Sequence, residues 1–254
     1  MRLGKNLGRY QGETIDIAQV TQEIHQAALG AGWASETFLD NPPLRLRAYR
    51  RTSPGAEKRL YLSTGIHGDE PAGPLAVLEL LRQNAWPPGL DLWLCPCLNP
   101  AGFSLNTREN ERGIDLNRDY RHLATEEVRA HVGWLSRQPK FDLSLILHED
   151  WEAGGFYLYE QNPTGLPSLA EKVIEAVAPV CPIETAEVVD TWEARGGIIR
   201  PKANPEERPQ WAEALYLVSR KSRLGYTLET PSDFPLPIRV AAQLRAVQTA
   251  LQWL

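Results

Sequence analysis

Apolar residues recur at helical spacing between Glu13 and Ala28, on Ile17, Val20 and Ile24, before Gly30 and Gly32 supply a stop, and this predicts an opening helix. From Leu44 to Ala48 apolar and basic residues alternate, and a turn at Ser53 to Gly55 leads into the strand formers of Arg59 to Thr64. That order predicts a hairpin. The second run ends in Gly-Ile-His-Gly-Asp-Glu, after which Pro71 takes a position that a helix start tolerates and Leu75, Leu78 and Leu81 follow at helical spacing. Leu90 to Leu98 predicts a strand, Thr125 to Leu135 a helix, Phe141 to Leu147 a strand and Leu166 to Val177 a helix. Residues 182 to 223 are less regular, broken by Gly196-Gly197, Pro201, Pro205 and Pro209, and are expected to be mainly loops that border a substrate pocket. Leu224 to Glu229 predicts one more strand, and Val240, Leu244, Val247, Leu251 and Leu254 a closing helix. The alternation predicts an α/β fold, a single domain over residues 1 to 254 with a mixed, largely parallel sheet between helices.

Composition agrees with one sizeable core: 254 residues, 43% hydrophobic and 23% charged. A net charge of -5 with scattered basic residues argues against nucleic acid and anionic membrane surfaces as partners. Three cysteines, Cys95, Cys97 and Cys181, are too few for a disulfide framework and predict a reducing, cytoplasmic setting. Neither a leader nor an anchor is visible from Met1 to Gly12, and no apolar run is long enough for a membrane span. Cys95 and Cys97 are expected on one face of their strand as buried small hydrophobes. His25, His122 and His131 lack ligand spacing.

The chemistry concentrates at predicted strand ends. His67-x-x-Glu70 offers an imidazole nitrogen and a carboxylate oxygen in one loop, and His148 follows a second strand. In open α/β sheets ligands collect outside the carboxyl ends of strands, so these three side chains form a candidate metal set with a position left for water. The competing account is ordinary polar capping at strand ends. Glu229 ends a third strand and suits a general acid and base; Arg108 and Arg118, in the polar stretch from Asn99 to Tyr120, suit oxyanion and carboxylate binding, or pairing with Asp115, Asp119 or Glu109.

The motifs HGDE, NPAGF, TREN, GIDLNRDY, LILHED and TLETP, in this order from about Leu60 to Pro231, resemble the M14 zinc metallocarboxypeptidase family. The resemblance implies an α/β/α sandwich, one zinc ion per chain held by His67, Glu70 and His148, and Glu229 as general acid and base. It further implies that Arg108 stabilises the oxyanion and that Asn117 and Arg118 bind the substrate's terminal carboxylate. The expected reaction is hydrolysis of a peptide or peptide-like amide beside a free carboxylate, with a peptide or peptidoglycan-derived peptide as substrate. Deacylation of an N-acyl amino acid, as in the related aspartoacylase and succinylglutamate desuccinylase group, and a metal- or peptide-binding module without activity are the alternatives. Glu149-Asp150 departs from the family's digestive members, Tyr216 is the nearest counterpart of their mobile-loop tyrosine, and Arg195 and Arg200 are candidates for recognising an acidic side chain.

Overall fold

The computed structural model describes residues 12–42, 44–202 and 204–254. The absence of a leader, expected from the amino-terminal stretch, therefore concerns residues that apart from Gly12 lie outside the described ones. Among the described residues, ten strands, β1 (Ala34–Asn41), β2 (Leu44–Arg51), β3 (Lys58–Thr64), β4 (Leu90–Cys95), β5 (Leu143–Asp150), β6 (Tyr157–Gln161), β7 (Val188–Val189), β8 (Trp192–Arg195), β9 (Ile198–Ile199) and β10 (Gly225–Pro231), form one sheet. Its order is β1-β2-β4-β3-β5-β10-β6-β9-β8-β7. The helices are α1 (Ile17–Gly30), α2 (Ala72–Gln83), α3 (Pro100–Leu105), α4 (Glu126–Arg137), α5 (Ala170–Val177), α6 (Glu213–Arg220) and α7 (Leu236–Trp253).

The sheet is mixed with a parallel centre: β4, β3, β5 and β10 run parallel, and antiparallel pairs β2–β4 and β10–β6 flank them. The central strands are largely buried on both faces because helices cover both. Leu143, Leu145 and Leu147 of β5 join the core packed by α1, α2, α5 and α7, whereas Ile146 joins Trp134, Leu135 and Leu217 of α4 and α6 on the other side. The α/β/α arrangement expected from the sequence is observed.

Three local expectations are corrected. The second strand of the predicted hairpin does not pair with the first: β2 lies between β1 and β4, while β3 lies between β4 and β5. Strand β1, exposed along much of its length, carries no alternating apolar signal and escapes pattern recognition. Residues 182–223 hold β7, β8, β9 and α6 rather than loops alone. Cys97 lies past the end of β4 and packs with Ile17 and Phe103, away from Cys95, though both are buried free thiols as expected.

No described helix is long and apolar enough to cross a membrane.

Candidate metal centre and cleft

Strands β3, β5 and β10 are adjacent and parallel, so their carboxyl ends meet at one edge of the sheet. His67 follows β3, His148 lies in β5, and Glu229 sits directly beside His148 in the β5–β10 register. Glu70 closes the loop between β3 and α2. This loop is held by close approach: a Cβ on Gly68 would meet the Gly102 carbonyl carbon at 1.9 Å, so α3 packs against the bare backbone. The fully buried Asn99 caps α3 by accepting from Gly102 N at 2.9 Å, and its amide donates to the Ile66 and Glu109 carbonyls at 3.1 and 3.2 Å. The NPAGF motif thereby ties the His67 loop to the Arg108 segment.

His67 Nδ1 lies 2.6 Å from Glu70 Oε1, and His148 Nδ1 lies 2.9 Å from Glu70 Oε2. One donor atom from each of the three residues falls within 4.8 Å of the others, and all three side chains are buried. Two imidazole nitrogens facing one carboxylate set lone pair against lone pair unless a proton or a cation lies between them. A divalent cation meets all three requirements at once, so the donor set fits a metal. Burial alone would raise the Glu70 carboxyl pKa, but the charges of His67 and His148 outweigh it and hold the group well below the usual carboxylate range. Burial lowers the His148 pKa. An ionised carboxylate and a neutral imidazole are the forms that ligate.

Asp115 Oδ1 lies 3.3 Å from His67 Nε2, and a proton held there leaves Nδ1 with its lone pair free for a ligand bond. The other Asp115 oxygen accepts from Arg108 Nε at 2.9 Å, and Arg108 Nη1 comes within 3.8 Å of Glu70. The pairing of Arg108 with Asp115, weighed from sequence as an alternative to a chemical role, exists and aims the guanidinium at the cleft. Asn117 and Arg118 lie on a short helical turn, Leu116–Arg118, capped by Asp115. Asn117 Oδ1 accepts the Glu213 backbone N–H at 2.8 Å, while Arg118 is exposed with Nη1 donating to the Asn117 carbonyl at 2.9 Å.

All seven residues singled out from sequence, His67, Glu70, Arg108, Asn117, Arg118, His148 and Glu229, line one cleft of ≈ 560 Å³. Burial first, then the Glu70 and Asp150 carboxylates, push the Glu229 pKa well above the usual range, with Arg108 opposing. The far wall comes from β6 and the segment between β7 and α6, among them Tyr157, Tyr159, Gln161, Asp190, Trp192 and Arg208.

Glu149 has a structural position. Its carboxylate accepts from Ala72 N at 2.6 Å, capping α2, which has no side-chain cap of its own, and it pairs with the buried Arg239 of α7. Asp150 borders the cleft and accepts from the Tyr157 hydroxyl at 3.0 Å. Tyr216 packs on Tyr120 with ring centroids 5.9 Å apart and does not line the cleft. Neither Arg195 nor Arg200 lines it: Arg195 pairs with Glu193, and Arg200 with Glu160 and Glu171. His131 lies in the core between the Tyr61 and Tyr120 hydroxyls at 2.8 and 2.7 Å. Asp190 and Glu213 carry no sequence signal, and the sequence offers Asp115 only as a partner of the arginines, not of His67.

Sheet order, helices on both faces and a buried His–Glu–His set at the carboxyl ends of parallel strands define a carboxypeptidase-like α/β/α fold with a candidate metal site. The model of the succinylglutamate desuccinylase/aspartoacylase catalytic domain matches residues 56–138. Carboxypeptidase SOL1 of Arabidopsis thaliana is 32% identical over 104 residues, 33% of this chain and 21% of that protein. Carboxypeptidase 2 of Trichophyton rubrum is 34% identical over 110 residues, 39% of this chain and 20% of that protein. The chain thus spans about a fifth of the length of these curated relatives. A candidate metallopeptidase of Shewanella amazonensis superposes with a TM-score of 0.81 at 26% identity, covering 94% of this chain and 93% of its own. A metallo-carboxypeptidase of Burkholderia cenocepacia, TM-score 0.64 at 17% identity over 90% of this chain and 67% of its own, shares the fold. In motif and fold the chain is thus similar to metallocarboxypeptidases and to the succinylglutamate desuccinylase/aspartoacylase group.

Proposed function

We propose that this chain hydrolyses a peptide or peptide-like amide bond next to a free carboxylate, with one zinc ion held by His67, Glu70 and His148. The observation that carries this reading is the convergence of the ligand set, Glu229, Arg108 and Arg118 on one cleft. Bound zinc supplies an acidified water and polarises the scissile carbonyl. Asp115 holds the His67 ring in the tautomer that ligates. Glu229 accepts a proton from the attacking water and returns it to the leaving amine, a role suited to a carboxyl whose affinity for protons is raised by burial. Arg108, kept charged by Glu70 and Asp115 against its burial, faces the developing oxyanion. Arg118, with no carboxylate partner among the described residues, and the Asn117 amide bind the substrate's terminal carboxylate and so place the last amide bond over the metal centre.

A panel of short peptides with free or amidated carboxyl ends, assayed with chelated and zinc-reloaded protein, tests the proposal. Cleavage that needs zinc and fails on amidated ends is expected; cleavage indifferent to either refutes it. The match to the desuccinylase/aspartoacylase model favours a second reading, deacylation of an N-acyl amino acid. Acyl amino acids in the same panel separate the two.

A further inference from the structure

Helix α7 lies against β10, α2 and α5, and the face it buries is mostly apolar, with Ala242, Ala246, Val247 and Ala250 fully buried. Two residues break that pattern. Arg239 and Gln243 stand four positions apart, hence on one face of the helix, and both are fully buried as well. Burying an amide costs free energy unless it is hydrogen-bonded, so packing alone would favour an apolar side chain at position 243.

What Gln243 touches accounts for it. Its Nε2 donates to the His148 carbonyl at 2.7 Å and, less closely, to the Leu228 carbonyl at 3.3 Å, with Thr230 Oγ1 at 3.4 Å from the same nitrogen. The Thr230 hydroxyl also lies 3.4 Å from the His148 carbonyl, to which it donates. Two carbonyl oxygens, which can only accept, fix the amide with its nitrogen on this side. Gln243 Oε1 is left buried without a hydrogen-bond partner among the described residues. The contacts of the nitrogen are therefore what the position retains a glutamine for.

His148 contributes one imidazole to the metal set, Leu228 is the residue before Glu229, and Glu229 stands beside His148 in the β5–β10 register. One amide nitrogen thus holds the main chain of both strands where the metal set meets the candidate base. A turn earlier on the same face, Arg239 pairs with Glu13 and with Glu149, the residue after His148, whose carboxylate caps α2 just beyond Glu70.

Resting on the hydrolase reading above, we propose that Gln243 is a positioning residue, which fixes the spacing between the metal site and Glu229 by tying His148 and Leu228 to one helix. The ladder between β5 and β10 sets which residues stand level, and its hydrogen bonds lie in the plane of the sheet. A tie from a helix packed on the face of the sheet resists displacement out of that plane. Glu229 can exchange a proton with a water at the metal site only while the two strand ends keep their separation, and a misplacement of about 1 Å costs about 100-fold in rate.

Gln243→Met keeps the length of the side chain and removes the donor. Val247→Ala, one turn further along the same buried face, removes packing from α7 and no hydrogen bond. Both are compared with the parent as full chains, for zinc affinity by competition with a chelator and for kcat and KM at saturating zinc. Gln243→Met is expected to bind zinc about 10- to 100-fold more weakly. Fully loaded, it is expected to turn over about 10- to 100-fold more slowly with KM unchanged. Val247→Ala should lower the Tm and leave zinc affinity and kcat as in the parent. Should Gln243→Met not fold, Gln243→Asn, whose amide is drawn back by one methylene, meets the same two expectations. Parental zinc affinity or parental kcat in the Gln243 variant, or equal losses in Val247→Ala, overturns the proposal. A parent chain that cleaves no substrate refutes the hydrolase reading instead, and zinc affinity then decides the role of Gln243 alone.

Discussion

Glu229 and Glu213 are two buried-edge carboxyls with opposite assignments, and substitution distinguishes them. Glu229→Gln keeps the shape of the cleft and leaves the three ligand residues untouched. It is expected to bind zinc as the parent does and to lose about 100-fold or more in kcat, since general acid–base catalysis contributes about 10²–10⁴. Zinc content by elemental analysis alongside steady-state kinetics checks this, and unchanged turnover removes Glu229 from the mechanism. Glu213 is fully buried at the start of α6, accepting from the Tyr61 and Ser63 hydroxyls at 2.9 and 2.8 Å, and burial pushes its pKa up to about 7, the hydroxyls opposing. The unfolded chain releases this proton at lower pH than the native chain. Native stability is therefore lost as pH rises from the ordinary value of 4.5 to about 7, and the deficit persists above. At pH 8 the shift corresponds to about 3 kcal/mol. Glu213→Gln retains both accepted hydrogen bonds and is expected to gain stability over the parent at pH 8 but not at pH 4, as urea unfolding at the two pH values would show.

At the scale of elements, α2 and β5 are joined by Glu149, whose carboxylate caps one, belongs to the other and is neutralised by Arg239 of α7. Glu149→Ala removes the cap of α2 and one of the two carboxylates paired with buried Arg239, Glu13 being the other, so it is expected to cost about 1–3 kcal/mol. Because α2 follows Glu70 directly, zinc affinity should fall with it; denaturant unfolding and zinc titration of the variant check both. The candidate metal ligands were legible in the sequence because histidine is scarce, His67 and His148 each follow an apolar run that reads as a buried strand, and Glu70 stands three residues after His67. Glu149 was legible only as a departure from a pattern, since its partners Ala72 and Arg239 are remote in the chain. Strand pairing was misread for the same reason: Leu44–Arg51 and Lys58–Thr64 look like neighbours, but the strand between them, Leu90–Cys95, arrives later. Asp190 had no signal at all, because its position depends on a hairpin of a two-residue and a four-residue strand whose partner, β9, is only two residues long.

For the whole molecule, a ligand set shared between the β3–α2 loop and β5 makes metal binding a folding term. Zinc at 100 times its Kd should stabilise the chain by about 2.7 kcal/mol. Calorimetry with and without chelator should show this as a higher Tm, and His67→Ala should abolish the difference; an unaltered Tm on chelation would detach the metal from the fold.

The cleft's two walls also come from separate stretches of the chain. The wall of His67, Glu70, Arg108 and Arg118 is drawn from one continuous stretch, the part that the desuccinylase/aspartoacylase model covers, whereas the hairpin bearing Asp190 belongs to a later stretch outside that match. Drift in the hairpin could therefore retune which substrates enter while the reacting groups stay in place. Exchanging residues 186 to 196 is accordingly a route to altered selectivity that leaves His67, Glu70, His148 and Glu229 unchanged.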